Sequence, residues 1–132
     1  VLRSRMRGLS CGAGPEAEEE DDRSAAAHSG QIWRYDPSAE SLELVALFPV
    51  GVPWDSPDNI TASPHGFALA CNDGEGDQYL VAINDQGEVF PFALNVYNDV
   101  EFAGATFSPS GRTLFVNIQE PGMTFAIWGP WR

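Results

Sequence analysis

A chain of 132 residues holds at most one domain, and its seven basic residues, all arginine, stand against 19 acidic ones for a formal charge of −12. So acidic a surface repels nucleic-acid phosphates and anionic membranes. It suits cations, calcium above all, whose ligands are hard oxygens, although a merely solvated acidic face accounts for the same composition. No run approaches the roughly 20 apolar residues of a membrane helix, and two cysteines, Cys11 and Cys71, make no disulfide framework.

Residues 1–29 are rich in Arg, Glu, Asp, Ala and Gly and nearly lack large apolar side chains after Leu9. Such a segment buries too little surface to offset its ordering entropy, so it is expected to be a disordered, low-complexity tail. It contains no apolar run of the signal-peptide kind. A start at Val1 rather than Met reads as a piece of a longer protein, with any export signal upstream. Residues 30–132 form the folding unit.

From Gln31 the pattern is strand, turn, strand. Gln31–Tyr35 and Leu42–Phe48 flank the turn Asp36-Pro37-Ser38-Ala39 and predict a hairpin. Val50–Asn59, with Gly51, Pro53 and Pro57, reads as a loop. Ile60–Ala62 and the wholly apolar Phe67–Cys71 flank Ser63-Pro64-His65-Gly66; the second of these has the composition of a strand buried on both faces. Asn72–Asp77 is a Gly- and Asp-rich loop. Tyr79–Ile83 and Glu88–Phe92 flank Asn84-Asp85-Gln86-Gly87, and Ala93–Glu101 is a longer loop. Ala103–Phe107 and Thr113–Ile118 flank Ser108-Pro109-Ser110-Gly111, and Thr124–Trp128 adds a last strand. No helical pattern emerges.

Ile60–Gly66 and Ala105–Gly111 align at an offset of 45 residues, and the match continues from Leu69 to Leu114 and from Asn72 to Asn117. A period of about 40–50 residues with several short strands per unit is the mark of propeller blades. The alternative is two ordinary hairpins that share a turn type. The expected fold is all-β, a partial β-propeller of about two four-stranded antiparallel blades, which would need neighbouring blades to cover its outer faces.

Three segments could carry chemistry. In Asp55-Ser56-Pro57-Asp58-Asn59, Pro57 forces extended backbone before it, so Asp58 and Asn59 can aim oxygen ligands at one point; the alternative is Asx residues that cap the next strand. In Asn72-Asp73-Gly74-Glu75-Gly76-Asp77 three carboxylates crowd together, without EF-hand spacing; the alternative is a solvated loop. Glu101 stands before the small residues Ala103, Gly104 and Ala105, which leave room for close approach, and it could equally be an ordinary surface glutamate. Cys71 reads as a small buried hydrophobe, and His65, in a turn, as exposed rather than catalytic. Serine-nucleophile, nucleotide-loop and zinc motifs are missing from the sequence.

The segments Gly30–Tyr35, Ser56–Thr61, Gln78–Val81, Gly87–Ala93, Glu101–Pro109 and Thr113–Trp131 together resemble the C-terminal part of PhoX-type alkaline phosphatases over about residues 30–131. The resemblance implies the last blades of a monomeric, exported (secreted or periplasmic) β-propeller enzyme, commonly sent through the twin-arginine route. Such an enzyme hydrolyses phosphomonoesters with calcium and iron. It implies Asp58, Asn59, Asp73 and Glu101 as metal-site residues. A family segment that usually reads Cys-Glu-Asp-Gly reads Cys71-Asn72-Asp73-Gly74 here, so Asn72 replaces an acidic residue and iron binding at that position is weakened. The remaining ligands would lie upstream, which leaves the chain inactive by itself. Two alternatives are a non-catalytic, calcium-binding propeller remnant and a related propeller lactonase. No partner beyond a phosphomonoester substrate is implied, neither nucleic acid nor membrane.

Overall fold

The computed structural model describes residues 9–13 and 28–131. Their regular structure is entirely β: β1 (Leu9–Ala13), β2 (His28–Asp36), β3 (Ser41–Pro49), β4 (Pro57–Ala62), β5 (Ala68–Asn72), β6 (Tyr79–Ile83), β7 (Val89–Leu94), β8 (Phe102–Phe107), β9 (Thr113–Ile118) and β10 (Met123–Trp128). Among these residues no helix is long and apolar enough to cross a membrane.

The turns follow the residue chemistry. Ser63 N–H donates to Phe67 O at 2.7 Å and Gly66 N–H to Ser63 O at 3.4 Å; in the repeat-related turn Ser108 N–H donates to Thr113 O and Gly111 N–H to Ser108 O, both at 2.8 Å. Gly66 and Gly111 close these turns with φ of 95° and 70°, a region that side chains with a Cβ rarely adopt. The repeat-related turns share the serine–glycine closure but differ in length by one residue, since Ala62 pairs with Ala68 and Phe107 with Leu114.

The strands form three antiparallel meanders, in the orders β1-β2-β3, β4-β5-β6-β7 and β8-β9-β10. The first strand of each lies beside the first strand of the next, β1 beside β4 and β4 beside β8. The middle sheet is covered on both faces. Along β5 and β6, Leu69, Cys71, Leu80 and Ala82 pack against Phe102, Ala105, Leu114, Val116 and Ile118 of the third sheet. The intervening Ala68, Ala70, Val81 and Ile83 pack against Ile32, Ala46 and Phe48 of the first. The alternation of a strand's side chains thus feeds two cores from one sheet. The β6–β7 turn also rests on β3: a Cβ on Gly87, whose φ is 79°, would stand 2.1 Å from the Val45 carbonyl oxygen.

Three expectations change. Within residues 1–29, expected to lack order, Leu9–Ala13 is a strand whose register on β2 runs from Leu9–Arg34 to Ala13–Gly30; ladder pairing satisfies its backbone groups without apolar density. The rest of that stretch up to residue 27 lies outside the described residues. The sheets number three, with three, four and three strands, rather than two with four each, and none of them closes on itself. The expected loop 50–59 ends early, because β4 begins at Pro57, the strand position where a missing N–H costs least.

Leu80→Ala, in a fully buried site, should lower stability by about 2–5 kcal/mol, whereas Phe115→Ala on the open face of the third sheet should cost under about 1 kcal/mol; urea denaturation of both variants checks the two-sided burial of the middle sheet.

Candidate metal centre

Asp58 and Asn59 open β4, Asp73 directly follows β5, and Glu101 directly precedes β8. Antiparallel pairing puts the start of β4 against the end of β5: Pro57 pairs with Asn72 and Asn59 with Cys71, and Asp58 sits in the irregularity between them. A bulge of this kind re-aims a side chain out of the pleat. The preceding residue, Ser56, expected to be extended ahead of Pro57, is instead left-handed, with φ of 50°. It is held from two sides, its carbonyl accepting Asp73 N–H at 2.9 Å and its own N–H donating to Ser29 Oγ at 3.2 Å. Left-handed backbone at a serine persists only where the surroundings fix it, and here it fixes the approach to Asp58.

Glu101 is held in a similar way. The loop before it is organised by the buried Asn95, whose Nδ2 donates to Val100 O at 2.7 Å and to Asn98 Oδ1 at 2.8 Å. Asn98 Nδ2 in turn donates to Glu120 O at 2.8 Å, and Gln119 N–H to Glu101 O at 3.3 Å. The side chain ends in an enclosed Oε2 with no hydrogen-bond partner among the described residues. Its carboxyl titrates above the ordinary glutamate range because burial disfavours the anion, reinforced by the negative charges of Asp73 and then Asp58. Asp58, Asp73 and Glu101 therefore share one electrostatic neighbourhood, assembled from three strand ends and two sheets.

Asn59 connects those sheets. Its Oδ1 accepts Gly104 N–H at 3.1 Å, and its Nδ2 donates to Asp58 Oδ2 at 3.3 Å. Asn72 is fully buried; its Oδ1 accepts Tyr79 N–H, while its Nδ2 is enclosed without a partner among the described residues. Between them the 73–78 loop is closed by Gln78, whose Nε2 donates to Gly74 O at 2.8 Å and Gly76 O at 3.1 Å. The Asp55 carboxylate lies on Gly74, where a Cβ would meet its Oδ1 at 2.2 Å.

Of the three carboxylates in that loop, all exposed, Asp73 is the one whose charge raises the Glu101 pKa, while Asp77 accepts the Tyr79 hydroxyl at 3.4 Å. Sequence reasoning gave no role to Ser56 or Asn95, and marked Gly104 as a point of close approach without naming Asn59 as what approaches. For Gly104 a signal existed, because Asn59 and Gly104 are separated by the same 45 residues as the repeat. Cys71 is buried in the apolar core, as expected. His65 lies at the opposite end of the sheets, its Nε2 donating to Gly111 O at 2.7 Å and its ring stacked on Trp131 at 6.0 Å, which is a structural role.

The donor chemistry is all oxygen, which fits calcium and gives no soft ligand. An orphaned carboxylate oxygen flanked by two like charges is also what a hard cation relieves. The described residues do not complete a cage: no group of three or more His, Cys, Asp or Glu among them stands close enough to hold a metal ion. At position 72 a neutral, buried amide offers its nitrogen edge, which does not fit iron.

A family model described as alkaline phosphatase PhoX matches residues 7–122. The match starts ahead of the segments that carry the resemblance in the sequence and takes in β1. No curated protein and no solved structure matches the chain.

Because the folded chain holds Glu101 above its ordinary pKa, the folded state binds that proton more tightly than the unfolded one. The stabilisation from protonation is complete below the unfolded value of 4.5 and is lost as pH rises through the raised folded value. In chelator, Glu101→Gln should therefore melt at a higher temperature than wild type at pH 7, with the gap closing as pH falls toward 4.5, as followed by circular dichroism melts across pH.

Proposed function

This chain belongs to the PhoX family of alkaline phosphatases, and we propose that it supplies part of the cation site of a phosphomonoester hydrolase, with Asp58, Asp73 and Glu101 as the ligands it contributes. The observation that carries the reading is the enclosed, unpartnered Oε2 of Glu101 with two further carboxylates acting on it. A bound calcium ion would neutralise charge on the phosphate oxygens and polarise the ester phosphorus. The chain's own residues do the positioning: the left-handed Ser56 and the bulge aim Asp58, the Asn95 network sets Glu101, and Gln78 closes the loop behind Asp73.

In this reading the three meanders, first strands side by side, are consecutive propeller blades, and the remaining ligands come from blades outside this chain. The isolated chain is then inactive, and the whole enzyme is monomeric and exported. Family resemblance adds iron to calcium, which the neutral Asn72 disfavours here.

That same residue favours a second reading, a calcium-binding member of the family without turnover. Asn72 Oδ1 is committed to Tyr79 N–H, and no anionic oxygen is available at that position.

The two readings separate in one assay. The longest natural form that contains this chain, given an aryl phosphate, should turn over with calcium and stop with chelator, and Glu101→Ala should lower kcat/KM by more than about 100-fold, beyond the usual effect of residues behind the ligands. Calcium binding by calorimetry without phosphate release establishes the second reading, and turnover indifferent to chelator rejects the cation site altogether.

A further inference from the structure

We infer that Asn59 is a positioning residue rather than a ligand: its amide ties Asp58 on β4 to the backbone at Gly104 on β8 and so fixes the separation of Asp58 and Glu101 across two sheets. The inference rests on the cation-site reading above.

Both ends of the amide are in use. The Oδ1 accepts Gly104 N–H at 3.1 Å, and the Nδ2, which has no lone pair to give a metal, faces Asp58 Oδ2 at 3.3 Å. Gly104 has φ of 61°, so its N–H is presented by a backbone conformation that few other residues would take, and a Cβ there would stand 3.1 Å from Asn117 Nδ2. Gly104 lies three residues after Glu101, inside the stretch of β8 where the ladder to β9 breaks between Ala103 and Thr106. Gly104 N–H lies in that gap, and Asn59 takes it up. β4 and β8 are first strands of separate sheets, and no ladder joins them. The Asn59 amide is therefore a polar tie between two strands whose other joint support is side-chain packing. A neutral amide also adds no charge to a neighbourhood that already holds three carboxylates, which an aspartate in its place would do.

The test uses the longest natural form that contains this chain, with terbium(III) luminescence as the binding probe, calcium as competitor, and amide exchange at Gly104 as a readout that needs no metal. Asn59→Ala and Asn59→Asp are compared with Ser63→Ala, which removes a 3.0 Å hydrogen bond to His65 N–H at the far end of the same sheet and serves as a purely structural loss. Both Asn59 variants should bind terbium about 10–100-fold more weakly, as for residues that orient ligands. Ser63→Ala should melt lower with affinity unchanged. Gly104 should lose exchange protection in Asn59→Ala and keep it in Asn59→Asp, whose carboxylate still accepts the N–H; the aspartate is also the variant to rely on if the alanine does not fold. Tighter binding by Asn59→Asp would make residue 59 a ligand, and unchanged affinity in Asn59→Ala would make it a bystander; either overturns the inference while leaving the cation site standing. Wild type that shows no saturable binding overturns both.

Discussion

Everything in this chain depends on burying the middle sheet from both sides. Apart from the half-buried Tyr79 at the start of β6, no side chain of β5 or β6 faces water: Leu69 and Cys71 of β5 enter one core, Ala68 and Ala70 the other. Each large apolar residue so enclosed contributes about 1.5–3 kcal/mol, and neither flanking sheet could be removed without exposing a full row of them. The arrangement also explains where polar residues are tolerated. Asn72, Gln78 and Asn95 are buried, and all three stand at strand ends on the side of the carboxylates. Side-chain amides there take up the backbone groups that the ladders no longer satisfy.

The use of amides rather than charges follows from the electrostatics. Among the described residues only Arg34 and Arg112 are cationic, and Arg34 is occupied by Glu43 on the neighbouring strand. Ion pairs are therefore not at hand to orient Asp58, Asp73 or Glu101. An amide donates and accepts at once, without deepening the repulsion that already raises the pKa of Glu101. Asn59, Asn95 and Asn98 form a neutral scaffold beneath an anionic surface, which leaves the enclosed Glu101 Oε2 with no donor among the described residues.

How much of this was legible in the sequence varied with the range of the interaction. Strand edges were read to within a few residues where local chemistry sets them, as at Asp36-Pro37 or Asn84–Gly87, and the apolar run 67–71 announced burial on both faces. β1 escaped because Leu-Ser-Cys-Gly-Ala has no apolar alternation; its order comes from pairing with residues some twenty positions away. The start of β4 escaped because Pro, Asp and Asn are turn formers, and only the partner strand makes them extended. Among the candidate site residues, Asp58 and Glu101 stood out by their surroundings in sequence, whereas Asp73 could not be told from Glu75 and Asp77 by composition. What separates them is position: all three are exposed, but Asp73 directly follows β5 and its N–H is anchored on the Ser56 carbonyl, whereas the other two lie further along the loop. The tie from Asn59 to Gly104 links different sheets, and no local pattern encodes it.

Asn72 shows how one such neutral group changes the character of the site. Its Nδ2 and the Asp55 Oδ1 both lie within 4 Å of the point a Cβ on Gly74 would occupy, so the edge that Asn72 turns outward is near a carboxylate. An anionic oxygen placed there would face the Asp55 carboxylate and be repelled by it unless a cation stood between them. A donor needs none. With the amide in place, the 73–78 loop closes on Gln78 and Tyr79 by hydrogen bonds alone, and Asp73 is delivered to its position beside Glu101 before any ion arrives. On the proposed cation-site reading, preorganisation of that kind would lower the ordering cost of binding. A neutral amide at position 72 would then suit a single hard ion better than a cluster built for a highly charged one.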